Sequence, residues 1–294
     1  TFNRVFSAPD PVGLEKGFVD RTQSVARLSE GEVVAIDGKS MRGTRENGNK
    51  SIVHMVSVWA QENHIVLGQV KVEEKSTEIT AIPRLLELLV LKGCIVTIDA
   101  MGCQKEIATK IIRKEADYIL ALKGNHGNLL EQAEDSFRFL RPVSSDEHTD
   151  AGHGRVETRL CQVINGLSLV EQSGEWEGLQ CLVKVESVRY FKCNAREEKD
   201  TRLYITSLKP DAALINNAVR SHWSVENSLH WVPDVAFDEH NSRKRAGFAA
   251  QNYSILNRIA LNLLKNEKTT KVGVRGKRLK AGWDNKYLSK LLIN

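Results

Sequence analysis

The stretch that decides the fold is VVAIDGKSMRG, residues 33–43, in which a short apolar run ends at Asp37. A second run of the same kind, in CIVTIDAMGCQK (residues 94–105), ends at Asp99. Short runs that are rich in β-branched residues are typical of buried strands. An aspartate at the end of a buried strand lies where an α/β sheet opens its ligand crevice. The two stretches therefore predict an α/β sheet with two carboxylates at its strand ends.

A third carboxylate, Glu226, lies in RSHWSVENSLHW (residues 220–231), whose apolar positions have the spacing of an amphipathic helix. Two strand-end aspartates that face a helix-borne glutamate can hold a pair of divalent metal ions for phosphodiester chemistry. For either aspartate alone, a cap on a turn is the simpler interpretation. The combination of all three favours a metal site.

Periodicity and composition divide the chain into five segments. We predict an N-terminal helical segment (1–30), the first part of an α/β core (31–142), a β-rich insertion (143–209), the second part of the core with the Glu226 helix (210–267) and a basic C-terminal tail (268–294). Within the core the predicted order is βββαβαβ, which is that of an RNase H-like mixed sheet with three antiparallel strands followed by parallel ones, flanked by helices. The insertion explains why Asp99 and Glu226 are far apart in sequence.

Composition limits the classes of protein to consider. The 294 residues are 41% hydrophobic and 27% charged, which is typical of a globular chain with a sizeable core. No apolar run approaches the roughly 18 to 20 residues of a membrane span. The five cysteines lack C-x-x-C spacing, which argues against a disulfide framework and a structural zinc site and indicates a reducing cytoplasm. The net charge of +5 is mild, but the tail is strongly basic and is a candidate arm for DNA phosphates or a solvated tail without a partner.

Six motifs occur in the order found in one family: AIDGKSMRG, EKSTEITAIP, TIDAMGCQ, YILALKGNHGNL, GHGRVETR and HWSVENSLHW. From about residue 2 to residue 264 the chain resembles the bacterial H repeat-associated insertion-sequence transposases. The resemblance implies a DDE enzyme with an RNase H-like core that cleaves and joins DNA at insertion-sequence ends. It implies that Asp37, Asp99 and Glu226 are the catalytic metal ligands.

The same resemblance implies a cofactor and partners. The expected cofactor is Mg²⁺, as two ions, with Mn²⁺ as a substitute. The expected partners are terminal-repeat DNA and target DNA, bound by a homodimer, with no membrane. The expected location is the bacterial cytoplasm, in association with the nucleoid when the protein is bound to DNA.

Two departures from the family pattern follow Glu226. Pro233 stands where the family has leucine, and His240 stands where it has an acid. Pro233 lacks a backbone donor and is expected to end or kink the helix there. The chain also starts at Thr1, which we interpret as a fragment or a decayed open reading frame. Two alternatives therefore stay open: a catalytically inactive DNA-binding transposase remnant, and an RNase H-like endonuclease without strand transfer.

Seven basic side chains are candidates for contact with DNA: Lys39, Arg42, Lys123, Arg155, His222, Lys277 and Arg278. His222 precedes Glu226 by one helical turn, although packing is the more frequent role for such a residue. Arg155 shares a strand face with Glu157 and Arg159, and this face can line a DNA channel or simply meet water. Trp223 and Trp231 are predicted to be core aromatics, with base stacking as the less frequent alternative.

Overall fold

The computed structural model describes residues 2–44, 52–73, 77–152, 154–193 and 195–293, without the side chains of residues 2, 226 and 227. The chain forms two compact units. The first unit contains Thr1–Val90 and Trp223–Asn294, and the second contains Leu91–His222.

The described residues form helices and strands in both units. In chain order they are α1 (Phe2–Ser7), α2 (Pro11–Val25), β1 (Val33–Met41), β2 (Val53–Ala60), β3 (Ile65–Lys71), α3 (Glu78–Leu88), β4 (Ile95–Ile98), α4 (Lys105–Arg113), β5 (Asp117–Leu122), α5 (Gly127–Phe139), β6 (Ser144–Gly152), β7 (Arg155–Ile164), β8 (Cys181–Phe191), β9 (Arg196–Thr206), α6 (Ala212–His222), α7 (Val232–Phe237), α8 (Ala249–Asn266), α9 (Val274–Trp283) and α10 (Asn285–Ile293). The βββαβαβ order predicted for the core is confirmed.

The first unit is built on the antiparallel strands β1, β2 and β3. β1 does not end at Asp37 as the apolar run predicted. It continues to Met41, because Gly38 to Met41 pair with Val56 to Val53 of β2. Asp37 therefore lies in the middle of a strand and not at its end.

The core of the first unit joins this sheet to the C-terminal helices. Trp59 of β2 and Ile255 of α8 are fully buried in it, and Tyr287 and Leu291 of α10 are also buried. Burying a large apolar side chain contributes roughly 1.5–3 kcal/mol. The segment 268–294 is therefore not the tail that its charge suggested, because it contains the packed helices α9 and α10.

The second unit combines parallel and antiparallel pairing. β4 is parallel to β5, as predicted, and β5 is antiparallel to β9. The hairpin strands β8, β7 and β6 continue from β9, each antiparallel to its neighbour. Helix α6 packs on β4, β6 and β7. All the strands of the 143–209 segment thus belong to the same unit as β4 and β5.

No helix in the part of the chain that the structure describes is long and apolar enough to cross a bilayer. Four cysteines of the described residues are buried as thiols, and Cys193 is exposed. Burial raises the pKa of both Cys103 and Cys161 to about 12, which keeps these thiols protonated and consistent with the role of small core residues.

Candidate active site

Asp37 is held at both carboxylate oxygens. Its Oδ1 accepts a hydrogen bond of 2.8 Å from the backbone N–H of Gly38. Its Oδ2 lies 2.8 Å from Nε2 of His230. Both side chains are partly buried, with 26% of Asp37 and 15% of His230 exposed. The contact joins strand β1 to the segment that begins at Glu226, 4 residues before His230.

The backbone of that segment, Glu226–Trp231, is a π-helical turn that leads directly into α7. Its carbonyl groups are bound by two lysines of the same unit. Lys265 Nζ donates to the Ser228 carbonyl at 3.2 Å, and Lys39 Nζ donates to the His230 carbonyl at 2.9 Å. A single π-helical turn is rare and is found mostly at functional sites. Here two ammonium groups stabilise it.

Lys265 reaches Ser228 across a buried aromatic ring. Its ammonium group lies 4.1 Å from the centroid of the Trp59 ring, close enough for a cation–π contact. Burial, together with the charge of Lys268, lowers the pKa of Lys265 to about 8. The ammonium group is therefore costly to hold at this position, and the Ser228 carbonyl and the Trp59 ring offset part of that cost.

Lys39 is the centre of a charged network beside Asp37. Its Nζ lies 2.7 Å from Asp234 Oδ1 and 3.3 Å from Glu239 Oε2, with only 10% of the lysine side chain exposed. Glu239 and Arg258 are each 1% exposed and form a bidentate pair, with both N–O distances 2.9 Å. Burial raises the pKa of Glu239, but the charges of Arg258 and Lys39 outweigh it and lower this pKa to about 2.

Asp234, which follows Pro233, thus contacts Lys39. The helix does not end at Pro233, however. α7 begins at Val232 and continues through the proline to Phe237. Proline is tolerated in the first turn of a helix because the N–H that it lacks has no intrahelical partner there.

The other face of β1 carries a second polar array. Ser40 Oγ lies 2.9 Å from Nδ1 of His54, and Nε2 of His54 is hydrogen-bonded to Glu78 of α3. A side chain at position 38 would collide with this array, since an added Cβ would lie 2.6 Å from Nε2 of His54. Gly38 therefore allows Glu78 and His54 to reach the strand next to Asp37.

In the second unit, Asp99 follows β4 and caps a short 3₁₀ turn by accepting from the backbone N–H of Met101 at 3.1 Å. Thr97, two residues before Asp99, has its Oγ1 2.9 Å from Nδ1 of His222 at the end of α6. His222 therefore contacts β4 of its own unit, and its contact with DNA stays a prediction. Asp99 therefore caps a turn, which was the simpler interpretation of a strand-end aspartate.

The structure therefore places the three predicted ligands as follows. Asp37 and the backbone of Glu226 belong to the first unit, and Asp99 belongs to the second. The side chain of Glu226 lies outside the described residues, and among the described residues no three His, Cys, Asp or Glu side chains group closely enough to hold a metal ion. The convergence of the three carboxylates stays a prediction.

The seven candidate DNA contacts differ in exposure. Lys39 is part of the buried network, and Lys277 is 7% exposed, with its ammonium group donating to the carbonyls of Leu264 and Glu267. Both lysines stabilise the protein itself, which favours a structural role over contact with DNA. Arg42, Lys123 and Arg278 are exposed, and Arg155 and His222 are partly exposed.

Two tryptophans were predicted to lie in the core, and this prediction is wrong. Trp223 is 38% exposed and Trp231 is 61% exposed. Trp223 lies between the end of α6 and the π-helical turn, and Trp231 is the last residue of that turn. Val225 and Leu229 are the buried residues of this segment.

Four contacts of the candidate site were not predicted from the sequence: His230 with Asp37, Lys39 with Asp234, Lys39 with Glu239, and Lys265 with Ser228. The partners are separated by 193, 195, 200 and 37 residues, so no local spacing reveals them. A weak signal existed for Lys39, because residues i and i+2 of a strand share one face and Lys39 must therefore lie on the face of Asp37.

The mixed α/β fold is RNase H-like. It is similar to one chain of the cryo-EM structure of a piggyBac transposase synaptic complex with hairpin DNA, with a TM-score of 0.52 and 11% identity. The match covers 94% of this chain and 56% of that chain, so the protein spans little more than half the length of the solved structure. At this identity the likeness shows the fold alone.

The family follows from the sequence. The model of the transposase DDE domain matches residues 28–263, and the chain belongs to this family. "Putative transposase YncI" of Escherichia coli O157:H7 is 44% identical over 301 residues, covering 100% of this chain and 77% of that protein. "H repeat-associated putative transposase YhhI" of Escherichia coli strain K12 is 38% identical over 303 residues, covering 99% and 79%. The resemblance to H repeat-associated transposases is confirmed.

Proposed function

We propose that the protein is a DNA transposase that catalyses metal-dependent strand cleavage and strand transfer at insertion-sequence ends. One observation carries the proposal beyond family membership. The hydrogen bond between His230 and Asp37 brings the segment that begins at Glu226 to the strand that carries the first aspartate. Two of the three proposed ligands, 189 positions apart by their residue numbers, thus come from neighbouring elements of one unit.

The donor set fits the proposed cofactor. Mg²⁺ takes oxygen ligands and keeps several waters, so that a few carboxylates and substrate phosphates are sufficient. Asp37 supplies a carboxylate that is already oriented by Gly38 and His230. Asp37, Asp99 and Glu226 would hold two Mg²⁺ ions, or Mn²⁺ as a substitute. When bound, the ions activate the attacking oxygen and stabilise the leaving oxygen of the phosphodiester.

The protein's own residues prepare this site. His230 fixes the orientation of the Asp37 carboxylate, which is the usual task of a residue behind a metal ligand. Lys39 and Lys265 bind the carbonyls of the π-helical turn and so fix the backbone that bears Glu226. Asp234 and Glu239 hold Lys39 in place, and Arg258 holds Glu239.

DNA is the proposed partner, as terminal repeats and as target. The exposed residues Arg42, Lys123 and Arg278 are proposed to bind phosphates, and each such contact adds salt dependence to the affinity. Trp231 is exposed beside His230 and is available for base stacking. A homodimer that pairs two element ends, in the bacterial cytoplasm, completes the proposal.

The proposal is tested with duplex DNA carrying the inverted repeats that flank the gene. Mg²⁺-dependent nicking of the intact duplex and joining of a pre-cleaved 3′ end to a second duplex are both expected. Hydrolysis without joined products would indicate an endonuclease, and binding without any cleavage in Mg²⁺ or Mn²⁺ would indicate an inactive remnant.

Two substitutions test whether Glu226 or Asp234 is the third metal ligand. Glu226→Gln retains the shape of the side chain but removes the charge that a metal ligand needs, so nicking should be abolished while DNA binding is nearly unchanged. Asp234→Asn should retain measurable nicking, because Asp234 acts through Lys39. Nicking within about tenfold of wild type in Glu226→Gln, together with its loss in Asp234→Asn, would identify Asp234 as the ligand instead.

A further inference from the structure

The loop 123–126 of the second unit contacts the turn that follows Asp99. This loop belongs to the motif YILALKGNHGNL (residues 118–129) and follows strand β5. β5 is parallel to β4, with Leu120 opposite Ile98, so the two strands end at the same edge of the sheet. The turn 100–103 and the loop 123–126 therefore leave the sheet next to each other.

Two side chains of the loop bind carbonyl groups of the turn. Nδ2 of Asn125 donates to the carbonyl of Ala100 at 2.8 Å, and Nε2 of His126 is hydrogen-bonded to the carbonyl of Cys103. A carbonyl oxygen can only accept, so Nε2 of His126 carries a proton. Ala100 is 4% exposed and Cys103 is fully buried, so solvent has little access to replace these two donors. The turn is thus held at both of its ends.

The backbone of the turn in turn holds the carboxylate of Asp99. Oδ1 of Asp99 accepts from the N–H of Met101 at 3.1 Å, and the carbonyl of Asp99 accepts from the N–H of Gly102, also at 3.1 Å. The N–H groups that fix Asp99 therefore lie between the two carbonyls that Asn125 and His126 bind. The orientation of the carboxylate depends on where those side chains hold the turn.

The imidazole ring of His126 is itself fixed from another side. It meets the ring of Trp176 edge to face, with 5.7 Å between the ring centroids, and Trp176 is 3% exposed. Lys105, the first residue of α4, pairs with Glu175 next to this tryptophan. His126 thus makes two chemically different contacts, an aromatic one with Trp176 and a hydrogen bond to Cys103, and substitutions can remove either one alone.

We propose that Asn125 and His126 are positioning residues for Asp99, because they fix the turn whose Met101 N–H orients the carboxylate. The inference rests on the proposed function, in which Asp99 is a metal ligand. It assigns to the loop after β5 the task that His230 has beside Asp37, namely to hold a proposed ligand in one orientation.

The first test measures the affinity of the full chain for Mn²⁺ alone, without DNA, from the electron paramagnetic resonance signal of free Mn²⁺. Asn125→Ala removes one donor to the turn and should weaken Mn²⁺ binding by about tenfold. Asn128→Ala is the matched control, because Asn128 is exposed on α5 and contacts Gln132 of the same helix. It should leave the affinity unchanged. Wild-type affinity in Asn125→Ala would overturn the proposal.

Two substitutions of His126 separate positioning from packing. His126→Phe keeps a ring against Trp176 but removes the N–H donor, whereas His126→Gln keeps an N–H donor but removes the ring. Positioning predicts weaker Mn²⁺ binding, by about tenfold, in His126→Phe and an affinity near that of wild type in His126→Gln. The reverse order would show that His126 acts by packing on Trp176 and would overturn its assignment.

Amide hydrogen exchange of residues 99–103, measured without metal, reports directly on the turn. The N–H groups of Gly102 and Cys103 donate to carbonyls within the turn, and their exchange should be faster in Asn125→Ala and His126→Phe than in wild type or Asn128→Ala. Equal exchange in all four proteins would overturn the proposal. Faster exchange and weaker Mn²⁺ binding in these two variants, when the wild type neither nicks nor joins DNA, would support the positioning role and count against the proposed activity alone.

Discussion

Nε2 of His230 lies 2.8 Å from Oδ2 of Asp37, and this contact fixes the carboxylate of β1 against the π-helical turn that begins at Glu226. Removal of the imidazole should leave Asp37 in place, with its carboxylate less firmly oriented. Mutation of a residue that hydrogen-bonds to a metal ligand typically lowers metal affinity or activity by about 10- to 100-fold.

For His230→Ala we therefore expect the Mg²⁺ concentration that gives half-maximal nicking to rise by about tenfold or more. His240→Ala is the control, because His240 is exposed and follows the same helix. Nicking rates measured across a Mg²⁺ titration check this prediction. An unchanged midpoint in His230→Ala would show that the contact does not orient the carboxylate.

The buried pair of Arg258 and Glu239 should be costly to break. Both side chains are 1% exposed, so Arg258→Met leaves a buried carboxylate with Lys39 as its remaining cation. Loss of one partner of a buried pair costs about 3–5 kcal/mol, whereas an exposed pair contributes about 0–1 kcal/mol. Arg138→Met, which breaks an exposed pair with Asp135, is the matched control. Urea unfolding of both variants is the measurement, and equal losses would contradict the prediction.

The lowered pKa of Glu239 predicts that the protein loses stability in acid. Its pKa in the folded state is about 2, below the ordinary value of about 4.5, so the stabilisation is complete above pH 4.5 and is lost as the pH falls toward 2. Between pH 6 and pH 3 the wild type should lose roughly 2 kcal/mol more of its free energy of unfolding than Glu239→Gln, which cannot ionise. Denaturant unfolding at the two pH values gives the comparison. Parallel losses would show that Glu239 is not the group responsible.

Gly38 should not tolerate a side chain. An alanine Cβ there would overlap Glu78 and would lie 2.6 Å from Nε2 of His54, so Gly38→Ala must displace the array on that face of β1. Overpacking of this kind costs typically about 1–3 kcal/mol. Gly17→Ala in α2 is the control, because nothing lies within 4 Å of the added Cβ, and it should stabilise by about 0.5–1 kcal/mol. Melting temperatures that rise in both variants would refute the expected collision.

The sequence predicts strands well where burial leaves an apolar run, and poorly where it does not. Val33 to Ile36 and Ile95 to Ile98 are buried, and both runs were predicted as strands. β6, with the sequence SSDEHTDAG, was not recognised as a separate strand, because it is an exposed strand that pairs with β7 and contains almost no apolar residues. For the same reason the extension of β1 beyond Asp37 escaped notice, since Gly38, Lys39 and Ser40 form no apolar pattern.

From the sequence, the candidate site could be predicted only as three carboxylates that lie in motifs resembling those of a family. The contacts that orient these carboxylates join residues that are far apart in the sequence. Lys39 meets Asp234 because β1 and α7 come together, and the sequence between them does not specify that approach. The π-helical turn was equally hidden, because Val225 and Leu229 have the spacing of an ordinary α-helix.

The last prediction concerns Lys265, whose ammonium group binds the Ser228 carbonyl in the π-helical turn. We infer that it positions the backbone of Glu226, so Lys265→Met should reduce the maximal rate of nicking by about tenfold while the affinity for duplex DNA stays unchanged. Because its ammonium group is partly desolvated over Trp59, removal of the charge alone need not unfold the protein. Lys265→Arg retains a donor and should restore most of the rate. Lys268→Met controls for net charge. A fall in thermal stability with no change in the rate, or the same rate in the methionine and arginine variants, would assign Lys265 to packing alone.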